Sequence, residues 1–307
     1  YVRAAQIEGA VNIGRTRLTN ILKNLEVDRF VTADGQKYQR TAIPYSYDHA
    51  RVEAITAVRR AEQAQMTEYA ALTSGCRMAY LGAALDDPHA EPCGICDLCT
   101  APPLPVSYDP ALAARAADFL RAQPMVIEPR KQWPDGKRIA ADEQVSEGRS
   151  LCRWNDGGWG DLVRLGRHAG QFDHELVEAL AKLVSDWGPA PAPTWLTWVP
   201  SLHQPGLVAD LAAGVASALG LPAVEAVVKR RPTQPQHTMQ NSAQQLANVV
   251  GAYEVSLSGA GSLPSGPVLL VDGAVNSRWT LTFVGSLLRL AGVEAVVPVA
   301  LADTRSS

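Results

Sequence analysis

Between Gly9 and Val27 the apolar residues Leu18, Ile21, Leu22 and Leu25 recur on one face of a helix, while Thr16, Thr19, Asn20 and Lys23 fall on the other. This spacing predicts a helix with a buried side and a hydrogen-bonding side. Phe30 to Ala33 and Gln36 to Thr41 then flank an Asp34-Gly35 turn, so two short strands are expected as a hairpin carrying Lys37, Tyr38 and Arg40. A helix followed by a basic hairpin is the outline of a winged helix. It is also the outline of a packing unit whose polar face is merely solvated. Asp48 next offers an N-cap to a longer helix, in which Val52, Ile55, Val58, Met66, Tyr69 and Leu72 keep near-helical spacing as an inward face. Gly75 stops this helix and delivers Cys76 at its end.

Further along, Ala101 to Pro105 is proline-rich and reads as a linker, and Asp109-Pro110 starts a short helix through Leu112, Phe119 and Leu120. From Lys131 to Gly170 no period is legible, because Trp133, Trp154 and Trp159 stand among glycines and charges. The cluster Gly157, Gly158 and Gly160 has no clear strand before it and no GKS or GKT after it, so it predicts a turn around a docked Trp159 rather than a phosphate loop. Asp173 to Trp187 is helical, with Leu176, Leu180, Leu183 and Val184 inward. The segment GPAPAP, Gly188 to Pro193, marks a second boundary. Beyond it, strands at Trp195 to Val199, Val224 to Val228, Val268 to Asp272 and Ala295 to Ala300 alternate with helices at Pro205 to Leu219 and Thr280 to Ala291. Continuously apolar strands separated by helices predict a parallel sheet covered on both faces. The expected fold is multi-domain, α+β followed by α/β, divided as 1–45, 46–101, 102–188 and 189–307.

Composition adds little direction. At 307 residues and 47% hydrophobic content the chain can fill ordinary globular cores, about two by length. Lys plus Arg number 28 against 31 acidic residues, so the net charge of -3 supplies no global basic field, and nucleic-acid contact would have to come from local patches. The absence of a signal-peptide core or a long apolar run leads to the expectation of a soluble, cytoplasmic piece of a longer protein with no membrane partner.

The cysteines change the picture. Four of the five fall within two dozen residues as C-x16-C-x2-C-x2-C, and the fifth, Cys152, stands alone as a buried, inert thiol. Two successive CxxC turns and a helix-terminal cysteine place Cys76, Cys93, Cys96 and Cys99 around one ion with no open position, the signature of a structural Zn2+ site.

The stretch from Gly75 to Cys99, GCRMAYLGAALDDPHAEPCGICDLC, resembles the zinc-binding subdomain of RecQ-like DNA helicases, with the Cys76-Arg77 pair, Leu81 and CGICDLC matching in order and spacing. In those helicases the winged helix follows the zinc module, whereas the candidate here precedes it. The resemblance implies an accessory region of an ATP-dependent, 3′-to-5′ helicase. Its partners would be DNA at duplex and single-strand junctions and the N-terminal helicase lobes of the same chain. ATP and Mg2+ would be bound only in those lobes, since no GxxxxGK[ST] occurs here. The expected DNA contacts are Arg15, Thr16, Thr19, Asn20, Lys23, Lys37, Tyr38 and Arg40.

From Trp195 onward the chain resembles competence-type phosphoribosyltransferase-like proteins, through WVPSLHQP, the segment RPTQPQHTMQNSAQQLANVVGAYEV and the loop VLLVDGAVNSRWTL. The working loop of that family carries two acids and small residues that bring backbone amides to a phosphate. Asp272 keeps the first acid, Gly273 replaces the second, and Arg278 stands where glycine would allow close approach. Asn276, Ser277 and Thr280 remain able to bond a phosphate. At ~2 to 4 kcal/mol for each lost electrostatic contact, the resemblance implies a degenerate loop and an inactive transferase-like domain. The alternative is an enzyme acting on a nucleotide or a phosphoribosyl diphosphate through this domain. The KRR tract at Lys229 to Arg231 reads as a solvated cluster or a contact to DNA backbone.

Overall fold

The computed structural model describes residues 1–100, 107–256 and 262–305. Internal contacts divide it into two units, Tyr1–Thr41 together with Ala114–Ser307, and Ala42–Ala113. The linker expected over 101–105 lies outside the described residues.

The first unit begins with β1 (Val2–Arg3), α1 (Ala4–Ala10), α2 (Arg15–Val27) and the hairpin β2 (Val31–Asp34) and β3 (Lys37–Arg40), with strand order β1-β3-β2, all antiparallel. The single helix expected from Gly9 to Val27 is therefore two helices. Asn12 is the reason for the break, since its side chain leaves the helix to bond Thr238 O at 2.9 Å and to accept from Gln240 N at 2.7 Å. Leu18 and Leu22 are buried as expected, but Ile21 is exposed. The hairpin pairs Asp34 with Lys37, so its turn is Gly35-Gln36, with Gly35 at φ 58°, one residue later than the Asp34-Gly35 expectation.

The second unit holds α3 (His49–Ala71), capped by Asp48, and α4 (Arg77–Ala84), capped by Cys76. The inward face expected on α3 is not buried. Ile55 and Val58 are 52% and 57% exposed, and Val52 and Met66 are exposed as well. Among the described residues of this unit Cys76 alone is buried, so the unit has no apolar core to hold that face.

Returning to the first unit, α5 (Pro110–Arg121) leads into β4 (Met125–Ile127), β5 (Gly148–Arg153), α6 (Gly160–Ala169), α7 (His174–Trp187), β6 (Trp195–Trp198) and α8 (Pro205–Leu219). Then come β7 (Val227–Lys229), α9 (Ser242–Val249), β8 (Tyr253–Val255), β9 (Val268–Val275), α10 (Trp279–Leu290) and β10 (Val296–Asp303). Five strands form one sheet in the order β4-β5-β10-β9-β6, parallel except for β4. Two of its strands thus come from the stretch 102–188, expected as a linker and mixed α/β region separate from the C-terminal domain, and the proline-rich boundary at 188–193 joins α7 to β6 of the same domain. The strand expected at Val224 to Val228 meets this sheet only at its start, where Val224 N donates to Leu196 O at 2.9 Å in an isolated parallel bridge, and β7 then pairs antiparallel with β8 in a separate ribbon.

The side-chain alternation of β9 builds two cores. Leu269 and Val271 pack in one cluster with Leu180, Leu211 and Val215, while Val268 and Leu270 pack in another with Trp279, Val284 and Leu288. Each fully buried Leu contributes about 1.5–3 kcal/mol, so both faces must be covered and helices lie on each. Trp159 docks at the corner it was expected to occupy, where Arg121 lies 4.5 Å from its ring centroid. Among the described residues no helix is long and apolar enough to cross a membrane.

Strand β5 lies so close to β10 that a Cβ on Gly148 would sit 2.2 Å from Pro298 O, a backbone atom with no room to retreat. Gly148→Ala should therefore destabilise the sheet by about 2 kcal/mol or more. Urea unfolding followed by circular dichroism reads this directly, and an unchanged midpoint would mean the two strands can separate without loss.

Candidate metal centre and strand-end cleft

The four sulfur atoms of Cys76, Cys93, Cys96 and Cys99 all lie within 4.8 Å of one another. Tetrahedral thiolate sites with metal–sulfur bonds of about 2.3 Å space their sulfurs about 3.8 Å apart, so the set fits one four-coordinate ion with only small shifts. Local structure prepares the ligands. Cys76 Sγ accepts from Ala79 N at 3.4 Å and Cys93 N at 3.2 Å, bonds that hold its thiol down to about 6. Backbone bonds, that from Arg77 foremost, lower Cys96 as well. Cys99 accepts from Gly94 N–H, yet the neighbouring Cys96, burial and Cys76 outweigh that bond and push it up to about 11. Without a cation, then, the cluster cannot ionise fully. A bound ion removes that conflict.

Arg77 ties the cluster to α3. Its Nε and Nη2 donate to the Asp97 carboxylate at 2.6 and 2.8 Å, its Nη1 donates to Tyr69 O at 2.7 Å, and its guanidinium lies 5.5 Å from the Tyr69 ring centroid. Arg77 accordingly holds Asp97 below the usual carboxylate range. Tyr69, expected in a core, is instead the shelf on which Arg77 and Tyr80 rest. Cys152, by contrast, is 0% exposed, donates to Leu301 O, and is pushed up to about 12 by burial, so it stands apart as an inert thiol.

In the first unit, a cleft of about 650 Å³ opens where β6 and β9 end, its wall formed in part by Ser201, Asp272, Asn276, Thr280 and Thr304. Parallel α/β sheets place ligand crevices at the carboxyl ends of their strands. Asp272, half-buried, accepts from Gly273 N at 2.7 Å. Burial pushes its carboxyl up to about 6, against the lowering pull of the Gly273 and Ala274 amides and of Arg167 and Lys229. Asn276 is already engaged with Thr304 Oγ1 at 2.8 Å. Asp272, Asn276, Ser277, Arg278 and Thr280 also border a small adjoining hollow of about 60 Å³.

Arg278 behaves differently from the expectation that its side chain shields a phosphate cradle. Its backbone keeps φ at 67°, the left-handed conformation glycine would take, at a steric cost of ~1 kcal/mol. Its Nη1, however, donates to Glu128 O at 2.9 Å, away from the strand-end cleft. The KRR tract is not simply solvated either. Lys229 turns to the cleft, bonding Thr233 Oγ1 at 2.9 Å beside the Tyr253 ring, Arg230 pairs with Glu254, and Arg231 bonds Val250 O at 2.7 Å past the end of α9. Lys229, Arg167, His203 and Tyr253 line this cleft without having been singled out for it. Their signal was position rather than motif: Lys229 and Tyr253 on the flanking ribbon, His203 beyond the end of β6, and Arg167 in the last turn of α6.

Of the residues expected to contact DNA, Arg15, Thr16, Asn20, Lys23, Lys37 and Arg40 are exposed, while Thr19 and Tyr38 are half-buried. Thr19 Oγ1 bonds Arg15 O at 2.9 Å, and Arg15 pairs with Glu8 at 2.8 Å.

No protein-family model and no curated protein matches this chain. The two sites rest on their own chemistry: one cluster able to hold a metal ion, and one cleft with a raised carboxyl facing two cations.

Asp272 gives a pH-dependent test. Its folded pKa of about 6 lies above the ordinary 3.8, so the folded state holds the proton more tightly than the unfolded chain. Ionisation therefore costs stability, fully above pH 6 and not at all below about pH 4. Asp272→Asn should raise the melting temperature of the first unit at pH 7, with the gain vanishing as the pH falls to 4. An equal effect at both pH values would show that Asp272 is not held uncomfortably buried.

Proposed function

We propose that this chain is an accessory, DNA-binding region of a RecQ-like helicase, with a structural zinc ion in Ala42–Ala113. The observation that carries the reading is the four-thiolate cluster locked by Arg77. It pairs the Cys76-Arg77 and CGICDLC signature with a geometry that fits one closed tetrahedral ion. All-thiolate, four-coordinate sets suit zinc, and with every position filled by protein the ion has a structural rather than a catalytic part.

DNA contact would fall to the exposed face of α2 and its hairpin, as in a winged helix. Thr16, Asn20 and Lys23 recur at helical spacing on one side, and Lys37 and Arg40 stand on β3. Among the described residues Lys23, Lys37 and Arg40 have no carboxylate partner, which leaves their charges available for phosphates. The ATP-hydrolysing lobes would be a partner of this region, and DNA junctions its substrate.

A second reading is favoured by the strand-end cleft. Asp272 stands where a phosphoribosyltransferase-like protein keeps its first acid. Against transfer chemistry stands Gly273, where a Cβ would meet Val208 and Phe172 at 3.5 and 3.6 Å, an apolar rim poorly suited to a second carboxylate. The domain is accordingly read as non-catalytic.

The triple variant Lys23→Ala, Lys37→Ala, Arg40→Ala should weaken binding to a forked duplex about equally for unrelated sequences. The slope of log affinity against log salt should fall by about 1 per residue removed. Fluorescence anisotropy across a salt series measures both. Unchanged affinity and slope would remove α2 and the hairpin as the DNA-contacting face.

A further inference from the structure

A second, open cleft of about 860 Å³ lies within the first unit, between the N-terminal helices and the 128–134 loop. Its walls include Arg15, Arg130, Lys131 and Arg278, set against only Glu8 and Glu128. Both acids are committed. Glu8 pairs with Arg15 at 2.8 Å, and Glu128 lies 3.7 Å from Arg278. Among the described residues Arg130 and Lys131 have no carboxylate partner, so the cleft carries uncompensated positive charge.

The arginines Arg130 and Arg278 are held in place rather than free to swing. Arg130 lies 3.9 Å from the Trp279 ring centroid and donates from Nε and Nη2 to Ser277 O at 2.9 and 2.6 Å. Burial, with Arg278 and Arg305 alongside, pulls its guanidinium down to about 10. Trp133 stacks on Trp279 at 6.0 Å and lines the same cleft, half-buried. Trp279 is only 1% exposed, borders the cleft, and its Nε1 has no hydrogen-bond partner among the described residues. Ser242 and Ala243, the first residues of α9, bring the positive end of that helix to the floor.

We propose that this cleft binds the phosphodiester backbone of a single nucleic-acid strand, with Arg130, Lys131 and Arg278 as phosphate contacts and Trp133 as a stacking surface for a base. Fixed cations interleaved with aromatic rings are what unpaired strands require, since every base offers a π-face. Recessed arginines between two walls suit one strand, whereas the exposed helix and hairpin suit a duplex. The inference rests on the DNA-binding reading above and extends it: a junction would place its duplex on α2 and the hairpin and its unpaired strand in the cleft, with Arg15 bordering both.

The test compares the full chain with Lys131→Glu and with Arg278→Gln, using fluorescein-labelled oligothymidine and a labelled hairpin duplex in anisotropy titrations at equal salt. Lys131 is exposed and among the described residues its side chain has no partner, so that variant should keep the parent's melting curve. The ratio of oligothymidine affinity to duplex affinity should fall about five-fold or more in both variants. If the parent binds the duplex but not oligothymidine, or if both variants keep the parent's ratio, the cleft proposal is overturned while the helix-and-hairpin reading stands. If the parent binds neither probe, both readings fall. Displacement of oligothymidine by millimolar pyrophosphate in the parent but not in Lys131→Glu would support the cleft as the phosphate site, and pyrophosphate binding there without any oligothymidine binding would overturn it in favour of a small anion.

Discussion

Four sulfur atoms within 4.8 Å of one another set the terms for everything between Ala42 and Ala113. Thiolates that close repel: backbone bonds hold Cys76 down, while Cys96, burial and Cys76 push Cys99 up. A cation would resolve the repulsion, and binding energy of ~10 kcal/mol or more would then become folding energy. No other source of that size is at hand. Cys76, 7% exposed, is the sole buried residue among those described in this unit, and the apolar side chains of α3 lie open. The Arg77 bonds to Asp97 and Tyr69 transmit the constraint from the ligand loop to the end of α3.

The first unit is organised by the opposite means. Its parallel strands are buried on both faces, with Ser150 and Thr197 the small polar side chains inside β5 and β6, so the larger polar groups gather where strands end. Asp272, Asn276 and Thr304 gather there beside Lys229. The same sheet fixes Arg278 at the start of α10 in a left-handed conformation, with its side chain turned to Glu128. One loop therefore serves two clefts: Asp272 and Thr280 face one, Arg278 and Trp279 the other.

Much of this was legible in the sequence where local chemistry decides structure. CxxC spacing places thiolates irrespective of tertiary context, and the apolar runs VLLV and AVVPVA can only be interior strands. Helix α8 begins at Pro205 and ends before Gly220 as its residues demand. Legibility failed where distant partners decide. Asn12 breaks the first helix because it bonds residues more than 220 positions away. Strand β5 was hidden because its pattern, GRSLCR, is neither alternating nor wholly apolar, and only pairing with β10 makes it a strand. The α3 periodicity predicted a buried face because periodicity reports amphipathicity, not the presence of a partner to cover it. Trp133 lay in the stretch with no period at all and Arg130 just before it, and only the fold brings them to Arg278.

The central claim is that a metal ion, and not an apolar core, holds Ala42–Ala113 together. Hydrogen exchange of the full chain, measured before and after removal of bound metal with a chelator, tests it most directly. The account predicts one zinc released per chain, with amides of α4 and of the loop from Cys93 to Thr100 losing protection while those of β9 and β10 keep theirs. Unchanged protection throughout α4 and that loop, with the metal demonstrably gone, would contradict it.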